Sequence, residues 1–439
     1  LTKKSYIIYG LGVSYFMIDQ IYNQWLSYYY LPPETEKNLV PLLKPQYLVL
    51  AFIFARIIDA VSDPVVGFLS DNSKSRFGRR SIFMLVGGLP LGILTVMYFY
   101  PIKSSQMATL IYLSVVGGLY FTAYTLVAAP YNALIPDLAS NKEERLNLST
   151  MQSTFRLIFT GVAMVLPGIL ISKLGMVNGV LNTEVGIRKT VILITILSVL
   201  GIYACIFFLK EKQLTQNRPK TESLGFMKSI SHLKDKEIIL YFLGYFFFFC
   251  GFNILRGDLT YYLSAVMQKD IKYLTVISVV LFGMAGLGFF LLKKILGKKY
   301  SYKKILIVDM LLLIIGTFGL LFINKNNSIF AYLLFVICGT GLSGAAFIFP
   351  QAMLSEISAK LSETKKVSLE GFMFGIQGMF LKLAFLVQQV VQSTLLVVGN
   401  QNVQNGVKGA TEVGVKVTLV VALVLFGVSL FFYNLKKED

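Results

Sequence analysis

The sequence predicts an all-α membrane protein with twelve transmembrane helices. Of its 439 residues, 55% are hydrophobic and 15% are charged, whereas an ordinary soluble domain carries about 25% charge. Part of that apolar surface must therefore face lipid. Apolar stretches recur from end to end, each near the roughly 20 residues that cross a bilayer core as a helix. Runs such as Val191–Leu209 and Val417–Tyr433 are unbroken, which excludes the short alternating strands of a barrel.

Taken in order, span one is Tyr6–Tyr30. It is too long for a cleavable signal and lacks a small-residue cleavage site. Span two, Gln46–Ser70, is apolar except for Arg56, Asp59 and Asp63. Spans three and four are Ser81–Tyr100 and Gln106–Ile135; five and six are Ser149–Ile171 and Arg188–Leu209. The polar stretch Lys210–Lys236 follows, the longest in the chain, with Arg218-Pro219 and mixed charges as in a solvated linker. The second set is Ile238–Met267, Tyr273–Leu292, Lys304–Ile323, Ile329–Ser355, Leu369–Val398 and Thr411–Leu435. The expected organisation is a six-helix bundle over 1–210, a cytoplasmic linker over 211–236 and a second six-helix bundle over 237–439. With both termini placed in the cytoplasm, inner segments hold more than twice as many Lys and Arg as outer ones, as the positive-inside rule requires.

The net charge of +18 does not imply nucleic acid, because the basic residues sit in short loops between apolar runs. Cys205, Cys250 and Cys338 lie within apolar segments at wide spacing and form no metal or redox pattern. There is no histidine cluster, nucleophile elbow or nucleotide loop, and the single histidine, His232, falls in the linker. An enzyme is not expected, nor a cofactor beyond a coupling ion. High lysine and few cysteines are in keeping with a bacterial inner membrane, and the bilayer is the one obligatory partner. A monomer suffices.

Between spans two and three lies Gly67-Phe-Leu-Ser-Asp71-Asn-Ser-Lys-Ser-Arg76-Phe-Gly78-Arg79-Arg80. This loop resembles the signature of the major facilitator superfamily. The glycines are expected to allow close helix approach. Gly67, Asp71, Arg76, Gly78, Arg79 and Arg80 form the expected cytoplasmic gate, with the arginines meeting Asp71 and nearby helix ends. The long stretch between Asp71 and Arg76 resembles the glycoside–pentoside–hexuronide:cation symporter family. So do Arg56-Ile-Ile-Asp59-Ala-Val-Ser62-Asp63-Pro64 on span two, Pro130-Tyr-Asn132-Ala-Leu-Ile-Pro136 with Glu144-Arg145 after it, and Gln377-Gly-Met-Phe-Leu-Lys382 on span eleven.

Asp59 and Asp63 are four residues apart, so they share one helix face. A charge inside the membrane costs at least ~2.5–3.5 kcal/mol, and two neighbouring carboxylates cost more unless a cation or proton neutralises them. Oxygen ligands with no His or Cys nearby suit a hard ion over a transition metal. The alternative is two static pairs, Asp59 with Arg56 and Asp63 with Lys382. The resemblance implies a sodium or proton site at Asp59, Ser62, Asp63 and Thr125, approached by Lys382 as coupling residue.

A solute would bind near the midplane between the halves. Polar and aromatic candidates within spans are Asp19, Tyr22, Asn23, Trp25, Tyr124, Asn132, Gln152, Arg156, Asn253, Arg256, Asp258 and Gln377. The resemblance implies sugar-binding acids on spans one and four. Here the second is Ala128, and Asp19 stands two or three residues late, facing another side unless the register shifts. Gln152 or Arg156 takes the position of the family's span-five arginine. The expected function is cation-coupled symport of a small organic solute, a sugar, glycoside or uronide. Sodium-coupled lysophospholipid transport, with a lipid substrate and Phe246–Phe249 and Phe252 as an apolar wall, is one alternative. A proton-coupled drug exporter is the other.

Overall fold

The computed structural model describes residues 1–215, 236–291, 302–346, 350, 353–354, 356–358, 370–400, 403–404 and 407–435. Most of the expected linker, and His232 within it, lies outside them.

Span one is not a single helix. It comprises α1 (Lys3–Leu11), a 3-10 turn over Gly12–Ser14, and α2 (Tyr15–Tyr30). The tightening falls where distant parts of the chain come close. A Cβ on Gly12 would lie 2.4 Å from the Tyr131 ring and 2.8 Å from Cys205 Sγ, so two neighbouring helices press on this point. Ser14 donates its hydroxyl hydrogen to Ser198 O and Ser198 donates to Ser14 O, both at 2.7 Å. That exchange satisfies polar groups at the break where no water reaches.

The remaining helices of the first half are α3 (Pro45–Asn72), α4 (Ser81–Met97), α5 (Gln106–Leu138), α6 (Lys142–Leu174), α7 (Thr183–Leu209) and the short α8 (Glu211–Thr215). Their starts carry caps: Pro45 at the first turn of α3, and Ser105, Asn141 and Asn182 accepting from Ala108 N, Glu144 N and Val185 N. Between α6 and α7 a two-residue hairpin turn, Asn178-Gly179, joins β1 (Met176–Val177) to β2 (Val180–Leu181). Both turn residues have positive φ, 50° and 80°, the requirement of the hairpin turn that matches strand twist.

The second half contains α9 (Lys236–Tyr261) running into a π-helical turn over Tyr262–Val266, then α10 (Tyr273–Leu291), α11 (Tyr302–Leu320), α12 (Phe330–Ala345), α13 (Glu370–Leu395) and α14 (Glu412–Leu435). A second small hairpin, β3 (Val403–Gln404) with β4 (Val407–Lys408), lies between α13 and α14.

Among the described residues the chain divides into two compact units. One is drawn from Leu1–Pro32, Glu36–Thr221 and Asn402–Lys408, the other from Pro33–Thr35, Glu222–Gln401 and Gly409–Asp439. In the first, α3 packs on α5, α4 on α5 and α7, and the α1–α2 pair on α6 and α7; in the second, α10 packs on α12, α11 on α12 and α14, and α9 on α13 and α14. The same neighbour pattern thus recurs in each unit.

Among the described residues five helical stretches are long and apolar enough to cross a membrane: Gln106–Leu138, Glu143–Leu174, Thr183–Leu209, Lys236–Val266 and Glu412–Leu435. Ser81–Met97, Tyr273–Gly288 and Phe330–Ala345 are apolar but shorter. Large side chains such as Phe68, Leu200, Ile315, Leu333 and Val424 are exposed on the helix exteriors, the surface a bilayer covers.

Candidate functional site

On α3, Asp59 is 1% exposed and Asp63 half-buried one turn further on. The helix α5 brings Thr125 against them. Thr125 Oγ1 lies 3.1 Å from Asp63 Oδ1 and 3.0 Å from Ser62 Oγ, and Ser62 Oγ lies 3.0 Å from Asp59 O. Asp59, Ser62, Asp63 and Thr125 therefore lie together, joined through two hydroxyls. Of the static pairs, the first is present: Arg56 Nη1 stands 3.3 Å from Asp59 Oδ2. The guanidinium also covers the Phe121 ring at 4.4 Å, a cation–π contact that helps hold it in an apolar place. Lys382 is half-buried on α13, in the other unit.

On span one, Tyr15 and Tyr22 face α5. Tyr15 meets Tyr124 edge-on at 5.5 Å, and Tyr22 stacks on Tyr120 at 5.1 Å. Asp19 lies between Tyr15 and Tyr22 on that row, the i, i+4, i+7 face of one helix. Asn23 Nδ2 donates to Asp19 Oδ1 at 3.0 Å and to Asp19 O at 2.7 Å. A 3-10 turn over Gly12–Ser14 precedes this helix. A 3-10 turn advances about 120° per residue against 100° in an α-helix, so three such residues rotate the next helical segment by roughly 60°. Trp25 is buried, edge-on to Tyr28, and its Nε1 has no partner among the described residues.

On α6, Gln152 Nε2 donates to Asn132 Oδ1 of α5 at 2.7 Å. Arg156, one turn on, covers the Phe16 ring of α2 at 4.9 Å. The two residues competing for one role have separate partners, one on α5 and one on α2.

In the second unit Asn253 is 1% exposed, and neither of its amide atoms has a partner among the described residues. Arg256 stands over the rings of Phe252 and Phe385 at 5.8 and 5.4 Å. Gln377 Nε2 donates to Tyr241 OH at 2.7 Å, and that hydroxyl donates to Pro350 O at 2.6 Å. Asp258 meets Gln392 of α13 and Thr418 of α14. The phenylalanine run also packs between helices: Phe246 on Phe380, Phe247 on Phe432 and Phe248 on Phe426.

The loop after α3 differs from expectation in its partners. Among the described residues, a Cβ on Gly67 would meet nothing within 4 Å. The tight glycine is Gly78, with φ +117° and Glu211 Oε2 2.2 Å from where a Cβ would stand. Arg79 and Arg80 both bind Asp137 at the end of α5, Arg79 through two nitrogens and Arg80 through Nε at 3.0 Å. Arg80 Nη1 also donates to Ser70 Oγ at 2.6 Å. The side chain of Asp71 lies outside the described set. Arg76 is exposed, over the Phe77 ring at 5.1 Å. The buried Glu211 carboxylate accepts from Arg80 N at 3.0 Å and Ser81 N at 2.7 Å. It thereby caps α4 at the positive end of the helix dipole. Neither Asp137 nor Glu211 belongs to the loop motif, so spacing within the motif could not reveal them.

Two units with one packing pattern, lipid-compatible exteriors and buried acids define an integral membrane transporter. The chain belongs to the MFS/sugar transport protein family, which it matches over residues 8–437, and within it to the glycoside–pentoside–hexuronide-like carriers its span-two and span-four motifs resemble. It is 26% identical to the uncharacterized symporter YnaJ of Bacillus subtilis over 398 residues, 88% of this chain and 83% of that protein. It is 23% identical to the raffinose carrier protein of Pediococcus pentosaceus, over 70% of this chain but 47% of that one. A sodium-dependent lysophosphatidylcholine symporter of Danio rerio is 26% identical over 34% of this chain and 28% of its own length. Among solved structures, a bacterial homologue of the human lysosomal transporter Spinster, inward-facing and unoccupied, superposes with a TM-score of 0.67 over 98% of this chain and 95% of that one. At 14% identity that is a likeness of fold. The family and these neighbours are transporters, not enzymes.

Proposed function

We propose that this chain is a symporter of a small organic solute, of the sugar, glycoside or uronide class, driven by sodium or protons. In this reading two six-helix bundles, 1–210 and 237–439, joined by the 211–236 linker, alternate access to a solute site. Twelve helices cross the membrane and both termini are cytoplasmic.

The observation that carries the reading is the donor count at Ser62, Thr125 and Asp63. Three oxygen–oxygen contacts link Asp59 O, Ser62 Oγ, Thr125 Oγ1 and Asp63 Oδ1. Two hydroxyls supply only two hydrogens. A proton on Asp63 completes a directed chain from Asp63 to Thr125, to Ser62, to Asp59 O. A sodium ion would use the same oxygens as ligands, all of them hard. The Arg56–Asp59 pair is compatible with either, because it balances the charge of only one of the two acids. Lys382 takes the coupling role. Asp19, Tyr22, Trp25, Tyr124, Asn132, Gln152 and Arg156 serve the solute from the first bundle, and Asn253, Arg256 and Gln377 from the second. The 67–80 loop acts as the cytoplasmic gate.

A second reading, sodium-coupled lysophospholipid transport, is favoured by Ala128, which stands where the sugar carriers have an acid, and by the lysophosphatidylcholine symporter among the relatives. Uptake into proteoliposomes, with and without sodium or pH gradients, tests both on labelled sugars, uronides and lysolipids. Coupling that survives Asp59→Asn combined with Asp63→Asn would sink the ion site. Movement of lysolipids but of no sugar or uronide would replace the first reading by the second.

A further inference from the structure

Asp258 sits on α9 at 1% exposure, and among the described residues no Lys or Arg pairs with it. Its partners are neutral. Oδ1 accepts from Gln392 Nε2 at 2.8 Å, and Gln392 Oε1 accepts from Gln388 Nε2 at 2.9 Å. Oδ2 lies 2.6 Å from Thr418 Oγ1. The crevice beside it is walled by Leu255, Leu259, Tyr262, Leu320, Phe335 and Leu419 and has no space for a water. The seam is built for close approach: a Cβ on Gly257 would come 2.4 Å from Gln392 Nε2 and 2.6 Å from Gln388 Nε2.

Thr418 has two acceptors within reach, Asp258 Oδ2 and Val415 O, and the assignment of its hydrogen fixes the direction of the bonds. Its hydroxyl is also 2.7 Å from Val415 O, and it has one hydrogen. A carbonyl cannot donate. If the hydroxyl hydrogen goes to Val415 O, the 2.6 Å contact needs a hydrogen from Asp258 itself. A carboxylic acid then fits every contact. Its carbonyl oxygen accepts from Gln392, its O–H donates to Thr418, and Thr418 donates to Val415. An ionised carboxylate would leave one contact without a hydrogen and a full charge beside an apolar wall, the arrangement a membrane interior penalises most.

We propose that Asp258 carries a proton and is a proton-binding site of the second unit, separate from Asp59 and Asp63. Among the described residues, the following charged and titratable groups on the surrounding elements have other partners or stand further along their helices. Arg256 faces the rings of Phe252 and Phe385. Tyr262 donates to Leu320 O at 2.8 Å. Glu412 and Lys416 of α14 pair at 2.8 Å. Asp309 of α11 accepts from Gly344 N at 2.9 Å. Lys382 stands roughly three turns before Gln392 on α13. Releasing the proton turns the Thr418 hydroxyl from Val415 to the carboxylate and places a net charge where α9, α13 and α14 meet. The protonation state of Asp258 is thereby tied to the packing of these three helices.

Infrared spectroscopy of the purified full-length chain in liposomes at neutral pH reads the proton directly. The wild type is expected to show a protonated-acid C=O band that shifts in heavy water. Asp258→Asn should lack it, and Thr418→Val should move it to higher frequency as the O–H loses its acceptor. The Asp59→Asn with Asp63→Asn variant should keep it, which separates this site from the proposed ion site. An unchanged spectrum in folded Asp258→Asn overturns the proposal. If that variant does not fold, the Thr418→Val comparison decides, and an unmoved band overturns it equally.

Discussion

Thr125 on α5 approaches Asp63 on α3 to 3.1 Å, hydroxyl to carboxylate, in the same row that places Ser62 3.0 Å from Thr125. These cross-helix contacts join the acid face of one helix to its neighbour, and the coupling hypothesis can be tested through them.

Thr125→Val removes a hydroxyl that bonds an acid and would ligate an ion. Hydrogen bonds to charged groups are worth ~1.5–3 kcal/mol, so ion affinity should weaken about ten- to hundredfold. The sodium or proton concentration for half-maximal uptake in proteoliposomes measures it. Thr125→Ser should recover most of the loss. Unchanged ion dependence in both would remove Thr125 from the site.

Asp59→Asn takes from Arg56 the carboxylate at 3.3 Å. Phe121 still faces the guanidinium, so the predicted cost is the low end for a broken buried pair, up to about 3 kcal/mol. Adding Arg56→Gln should restore thermal stability in detergent without restoring ion-coupled uptake. If the double variant recovers both, Asp59 is a structural partner only.

Asp137→Asn should destabilise the cytoplasmic end of the first unit more than any exposed ion pair there. Two arginines converge on this one carboxylate, and the Asp137 and Arg80 side chains are each only 8% exposed. Breaking such a pair costs ~3–5 kcal/mol. A melting temperature within a degree or so of wild type would contradict this.

Gly78→Ala places a Cβ in a left-handed conformation and against the Glu211 carboxylate. Strain of that kind costs on the order of 1–3 kcal/mol, and the cap on α4 is displaced with it. Glu211→Gln keeps the shape but loses the charge at the helix start, a smaller loss of about 0.3–1 kcal/mol. Thermal unfolding should therefore rank wild type above Glu211→Gln above Gly78→Ala.

Ser14→Ala and Ser198→Ala each delete one of two reciprocal bonds between α1–α2 and α7. Single side-chain bonds inside membrane proteins average about 0.6 kcal/mol. The two losses should not add, because the serines share one contact. A double-mutant cycle on unfolding midpoints measures the coupling, and strict additivity would refute it.

Much of the fold is legible in the amino-acid sequence. Apolar length marks helices because a backbone in lipid must satisfy its own hydrogen bonds, and the twelve expected segments each contain helix among the described residues. Four-residue spacing puts Asp59 and Asp63 on one face, because helix geometry is local. The Asn178-Gly179 turn is equally local and could have been read as a hairpin. The partners are not legible. Which helix meets which is decided by packing over long chain distances: Asp137 and Glu211 reach the Arg79–Arg80 loop from positions far along the sequence. The 3-10 turn at Gly12–Ser14 is also a tertiary product. Gly12 permits it, and Tyr131 and Cys205 stand close against it. The sequence alone determined the membrane, the helices and the acid pair, through local periodicity and hydropathy. Only the tertiary structure decided that Thr125 joins Asp63 and that Asp258 joins Thr418, because hydrogen bonds between helices depend on atoms brought within about 3 Å.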